Sequence, residues 1–117
     1  MRFLGVAILA TSTLLLAGCY SPGSLVQKGP TFSASTGKTP KNYALCVFPQ
    51  WQEYRPDATL SETETGYRLI SGNDMNTNEI LNISKTTSGS AVKFYQRAYF
   101  DFGSGKENAL RSTKTCL

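Results

Sequence analysis

The chain predicts an α+β fold: a small antiparallel four-stranded sheet packed with two short helices. Three observations carry this. From residue 58 to 100, short runs of alternating apolar and polar residues are separated by turns rich in Gly, Ser, Asn and Thr. A Thr-Pro start signal precedes an apolar run at 43–48, and a capping pattern opens the last segment at Ser104. Strands joined by loops too short for a crossover helix fit a meander better than βαβ units.

Thr39-Pro40 reads as a helix start, a capping hydroxyl followed by proline at the first helical position. Residues 43–48 are apolar on every side, so periodicity alone does not separate buried helix from buried strand. The start signal favours a short helix ending near Pro49, with Trp51 and Tyr54 packed beneath the turn that follows. The first strand alternates Thr59, Ser61, Thr63 and Thr65 with Leu60, Glu62 and Glu64, and Gly66 punctuates the turn into 67–70. Residues 71–74 turn again, and 79–84 form a strand with Leu81 and Ile83 on one face. In the last strand Val92, Phe94, Ala98 and Phe100 share one face, while Lys93, Tyr95, Arg97 and Tyr99 share the other. Ser104 and Glu107 match a capping box, and the helix after them places Ala109, Ser112, Thr113 and Cys116 on one flank. No internal repeat and no second domain are visible.

The amino terminus is organised differently. Arg2 gives a short positive head, and residues 3–16 form an apolar run of 14, too short to span a bilayer as a mature helix. The run ends on Leu16-Ala17-Gly18-Cys19. This pattern resembles the lipobox of bacterial lipoproteins, and the resemblance covers the first 20 residues. It implies that residues 1–18 are a signal peptide, that Cys19 is lipidated on its sulfur and acylated on its new amino terminus, and that the protein contacts a membrane through that lipid. Two or more acyl chains hold a protein stably where one holds it marginally. By similarity to the sorting rule of such lipoproteins, Tyr20 in place of aspartate points to the periplasmic face of the outer membrane.

Residues 19–38 read as a lipid-anchored flexible tether, since 12 of the 19 positions from 21 to 39 are Ser, Thr, Gly or Pro. Such a stretch buries little surface against its ordering entropy, and as a random chain reaches roughly 25 Å. The single small domain is then 39–117. Removing Arg2 with the leader lowers the formal charge from +4 to +3, well short of the dense basic stripe of a nucleic-acid protein. The chain has no histidine, which excludes Ser-His and Cys-His nucleophiles and zinc sites with imidazole ligands. With Cys19 assigned to lipid, Cys46 and Cys116 remain in the oxidising compartment the leader implies, and a disulfide between them closes a loop of about 70 residues, worth roughly 4 kcal/mol. Two thiols or a metal pair are the alternatives; neither cysteine has a CxxC partner.

Four constellations could carry chemistry. Gly103-Ser104-Gly105-Lys106 glances at a phosphate-binding loop, but Phe100 and Glu107 stand where that loop needs glycine and a hydroxyl. Asp74, Asn76 and Asn78 have the spacing that opens a calcium loop, but Glu79 and Lys85 replace its glycine and its closing glutamate. Neither a metal nor another cofactor is expected. Glu62 and Glu64 project from one side of a strand about 7 Å apart, within the range of a glycosidase pair. The stripe Lys93, Tyr95, Arg97 and Tyr99 alternates cations with aromatics, an arrangement able to stack on sugar rings and pair with anions. Arg68, Lys106, Arg111 and Lys114 could extend it only if the fold brings them near. The expected function is therefore a non-enzymatic module that binds an envelope component, whether glycan, lipopolysaccharide or protein, and no nucleic acid. An envelope-polymer hydrolase using Glu62 and Glu64, or a protein-directed inhibitor or immunity lipoprotein, is the alternative.

Overall fold

The computed structural model describes residues 21–98 and 105–117. Cys19, Tyr99, Phe100 and the Ser104 cap lie outside them. The elements in order are α1 (Pro22–Gln27), β1 (Phe32–Thr36), α2 (Pro40–Tyr54), β2 (Thr59–Glu62), β3 (Gly66–Gly72), β4 (Thr77–Thr86), β5 (Gly89–Gln96) and α3 (Gly105–Thr115). All neighbouring strands are antiparallel, in the order β1-β5-β4-β3-β2. The fold is thus α+β with the expected meander, carrying one more strand and one more helix than the sequence pattern predicts.

Both additions come from the segment read as a tether. In α1 the Ser21 hydroxyl accepts from the Ser24 amide at 3.2 Å and Pro22 occupies the first turn, a complete helix start built from small polar residues. In β1, Phe32, Ala34 and Thr36 are half-buried while Ser33 and Ser35 are exposed. The strand pairs with β5 from Phe32↔Phe94 to Thr36↔Ser90. An edge strand needs only one inward face, and its neighbour supplies the hydrogen bonds, so a Ser/Thr-rich composition is compatible with order here.

α2 starts as expected, with the Thr39 hydroxyl accepting from the Asn42 amide at 3.2 Å. It does not stop at Pro49 but runs on to Tyr54. Proline removes the bond to the carbonyl four residues back, and both Leu45 and Pro49 lie on the exposed side, so the loss falls on the solvent face. Meanwhile Tyr43, Ala44, Val47 and Trp51 form an unbroken buried stripe. Trp51 therefore packs from within the helix, edge-on to Phe94 at 6.0 Å, and Tyr54 is exposed rather than tucked beneath a turn.

The helices α2 and α3 cover one face of the sheet, where Leu69, Leu81, Ile83, Val92 and Phe94 complete the main core. Asn108, Ala109, Ser112 and Thr113 of α3, and Cys116 just past it, are buried, the flank that the spacing predicts plus Asn108. Several links hold the two helices together, among them the Gln50 side-chain amide, which donates to the Cys116 sulfur at 3.3 Å. Cys46 and Cys116 form a disulfide with Cα atoms 5.9 Å apart, the Tyr43 hydroxyl donates to the Thr113 carbonyl at 2.6 Å, and the Trp51 indole donates to the Ala109 carbonyl at 3.0 Å. At the far end of α2, Arg55 donates Nε–H to the fully buried Glu79 at 2.6 Å. A Cβ at position 105 would meet that guanidinium, so any larger residue there would have to displace the Arg55 side chain.

The opposite face carries a second, smaller cluster. Leu25 of α1 is fully buried against Ile80 and Tyr95, with Val26 and Ile70 packed beside them. α1 thus closes one end of this face and leaves the rest of it uncovered by any helix described.

Candidate functional site

The uncovered part of the second face is built by strand register. Ser33 pairs with Lys93, Lys93 with Asn82, Asn82 with Arg68 and Arg68 with Ser61, giving one row across all five strands. Strand alternation puts these side chains on the same side as Tyr95, Ile80 and Ile70, two residues further along. Ser33, Lys93 and Ser61 are exposed, and Asn82 and Arg68 half-buried. Arg68 donates Nε–H to the Asn82 side-chain oxygen at 2.7 Å, tying its guanidinium to the central strand. None of the strand positions that alternate onto this face is Asp or Glu. The row is therefore cationic, hydrogen-bonding and without an internal carboxylate to neutralise it.

This differs from the stripe predicted along the last strand. Tyr95 is only 5 % exposed and belongs to the α1 cluster, so its ring has no face to offer a ligand. Arg97 is turned to Asn78, donating Nη2 to its side-chain oxygen at 2.8 Å and its amide to the Asn78 carbonyl at 2.9 Å. Lys93 is the exposed member of the stripe, Arg97 is half-buried, and Tyr99 lies outside the described residues. Of the further cations named from the sequence, Arg68 joins the row through the register. Lys106, Arg111 and Lys114 stand on α3 in the other layer, where Lys114 lies 5.3 Å from the centre of the Phe32 ring. Periodicity misses Arg68 and Asn82 because it reports one strand at a time. The available signal is that each is the polar member of an otherwise apolar alternation, 67–70 and 80–83.

The two glutamates meet elsewhere. β2 ends at Glu62, and Glu64 sits in the turn before β3, so they are not successive residues on one side of a strand. Both line an open groove of about 590 Å³ at the amino-terminal end of α2, together with Lys41, Tyr67, Lys85 and Thr87. Both are exposed.

The turn carrying Asp74, Asn76 and Asn78 is organised by Asn73, whose side-chain oxygen accepts from the amides of Met75 and Asn76 at 3.0 and 2.9 Å. Asn78 is occupied with Arg97. Among the described residues no group of three His, Cys, Asp or Glu side chains is placed to hold a metal ion. No described helix is long and apolar enough to cross a membrane. Comparison with protein-family models, with curated proteins and with solved structures finds no match to this chain.

Proposed function

We propose that this chain is a lipoprotein held by Cys19 at the periplasmic face of the outer membrane, where it acts without catalysis as a binding module for an anionic envelope component. The carrying observation is the cross-strand row of exposed Lys93 with half-buried Asn82 and Arg68, with no carboxylate among the described strand positions of that face. Lysine and arginine on a flat sheet recognise phosphate or carboxylate groups by charge and by directed donors. The leader supports the address, and the Cys46–Cys116 bridge agrees with an oxidising compartment.

Two measurements test the parts separately. Cys19→Ser should abolish incorporation of labelled palmitate and leave the precursor uncut; normal processing refutes the anchor. Amine acylation of intact envelopes, read by mass spectrometry, should label Lys93 more slowly than in detergent-solubilised protein, while Lys41 and Lys85 in the groove react equally in both. Equal labelling of Lys93 in the two states refutes the binding face.

A further inference from the structure

The described residues begin at Ser21, two positions after Cys19. Ser21 caps α1, and α1 is fastened to the sheet by Leu25, which is fully buried against Ile80 and Tyr95. Two residues span at most about 7 Å. A lipid on Cys19 would therefore attach within about 7 Å of the start of α1, the helix that packs on the second face of the sheet. The row of Lys93, Asn82 and Arg68 lies next to the row that α1 covers, about 7 Å further along the strands. That distance is within the Debye length of about 8–10 Å at physiological salt.

We infer that the second face docks on the anionic phospholipid headgroups of the leaflet that holds the Cys19 lipid, with Lys93 and Arg68 as the contacting cations. This rests on the lipoprotein reading above and names the partner of the same row. Two features fix the choice of occupant. The two-residue separation of Cys19 from Ser21 keeps an attached lipid near the face on which α1 packs. The face it does present carries cations and no acid among its strand positions. In this orientation α2, α3 and the groove lined by Lys41 and Lys85 face away from the bilayer, which makes those lysines internal controls.

The test uses the mature lipoprotein reconstituted in vesicles of phosphatidylcholine alone, and in vesicles where part of the lipid is phosphatidylglycerol. Vesicle flotation is measured first and amine acylation second. Lys93 should label about fivefold more slowly in the anionic vesicles than in detergent, the scale of one cation's attraction to such a surface. Lys41 and Lys85 should not change. Arg68→Ser should return Lys93 most of the way to its detergent rate, and salt at about 1 M should do the same. Equal protection in neutral and anionic vesicles overturns the headgroup contact, as does none in either. Protection found in native envelopes but absent from vesicles assigns the row to a macromolecular partner and also overturns it. Failure to float is a different result: the anchor itself fails, and the docking inference falls with it.

Discussion

Removing the Cys46–Cys116 bridge gives the perturbation whose size follows most directly from the structure. The bridge joins residues 70 apart in sequence. Chain-entropy closure of a loop that long restricts the unfolded state by about 4.4 kcal/mol at 25 °C. That number applies only if the native state keeps its shape without the bond, and two contacts argue that it does. The Tyr43–Thr113 and Trp51–Ala109 hydrogen bonds, both buried, still hold α2 against α3. Cys46→Ala/Cys116→Ala should therefore fold, and lose about 4 kcal/mol in urea unfolding. For a domain of this size that corresponds to a fall in Tm of about 20–30 °C. Reducing the native protein should give a similar loss without changing any side-chain volume. The urea m-value should also rise, because an uncrosslinked unfolded chain exposes more surface. A loss below about 1.5 kcal/mol with an unchanged m-value would refute the argument that the bridge acts through the unfolded chain.

Two further outcomes test the packing. Leu25→Ala should cost about 2–4 kcal/mol and remove hydrogen-exchange protection from α1, because the side chain is fully buried between Ile80 and Tyr95; a neutral substitution would mean that 21–28 behaves as a tether after all. Burial raises the Tyr43 phenol above its usual value near 10, so the folded state keeps its proton where the unfolded chain releases it. Stability is therefore full below about pH 10 and falls above it, by up to about 1.4 kcal/mol per pH unit. Tyr43→Phe should lose about 1–2 kcal/mol at neutral pH by leaving the Thr113 carbonyl without its donor, and should show a shallower alkaline slope in urea midpoints. An unchanged slope assigns the alkaline effect to other groups.

The meander was legible because each of its strands repeats with period two between turn residues, and Leu81, Ile83, Val92 and Phe94 meet on one face as the alternation requires. The start of α2 was legible from two residues, Thr39 and Pro40, whose chemistry is local. What escaped depends on neighbours. β1 looks like linker because half of its order comes from β5, and the strand itself contributes only Phe32 and Ala34 to the core. Pro49 looks like a stop because only the tertiary fold reveals that its side of α2 faces water. Tyr95 looks like a surface aromatic because alternation says which side a residue takes but not whether another element covers that side. Arg68 could not be joined to Lys93 without the register of three strands.

The same local–nonlocal distinction decides how the protein would work. With residues 19–38 as a random chain, a reach of roughly 25 Å lets the domain sample every orientation, and two cations on a flat sheet would then give a negligible bias. With α1 seated through Leu25, an anchor on Cys19 would lie only two residues from that helix's cap. On the proposed reading the lipid would supply the association step, and the row's encounter with headgroups would be intramolecular. A pair of contacts too weak to recruit a soluble protein is enough to set the orientation of one already tethered at that distance. Under the proposed docking, Leu25, an apolar residue in a polar stretch, is the side chain on which the orientation would depend. Leu25→Ala should release Lys93 from protection in anionic vesicles even though it removes no charge. Keeping full Lys93 protection with α1 undocked would show that the short leash is not what aims the face.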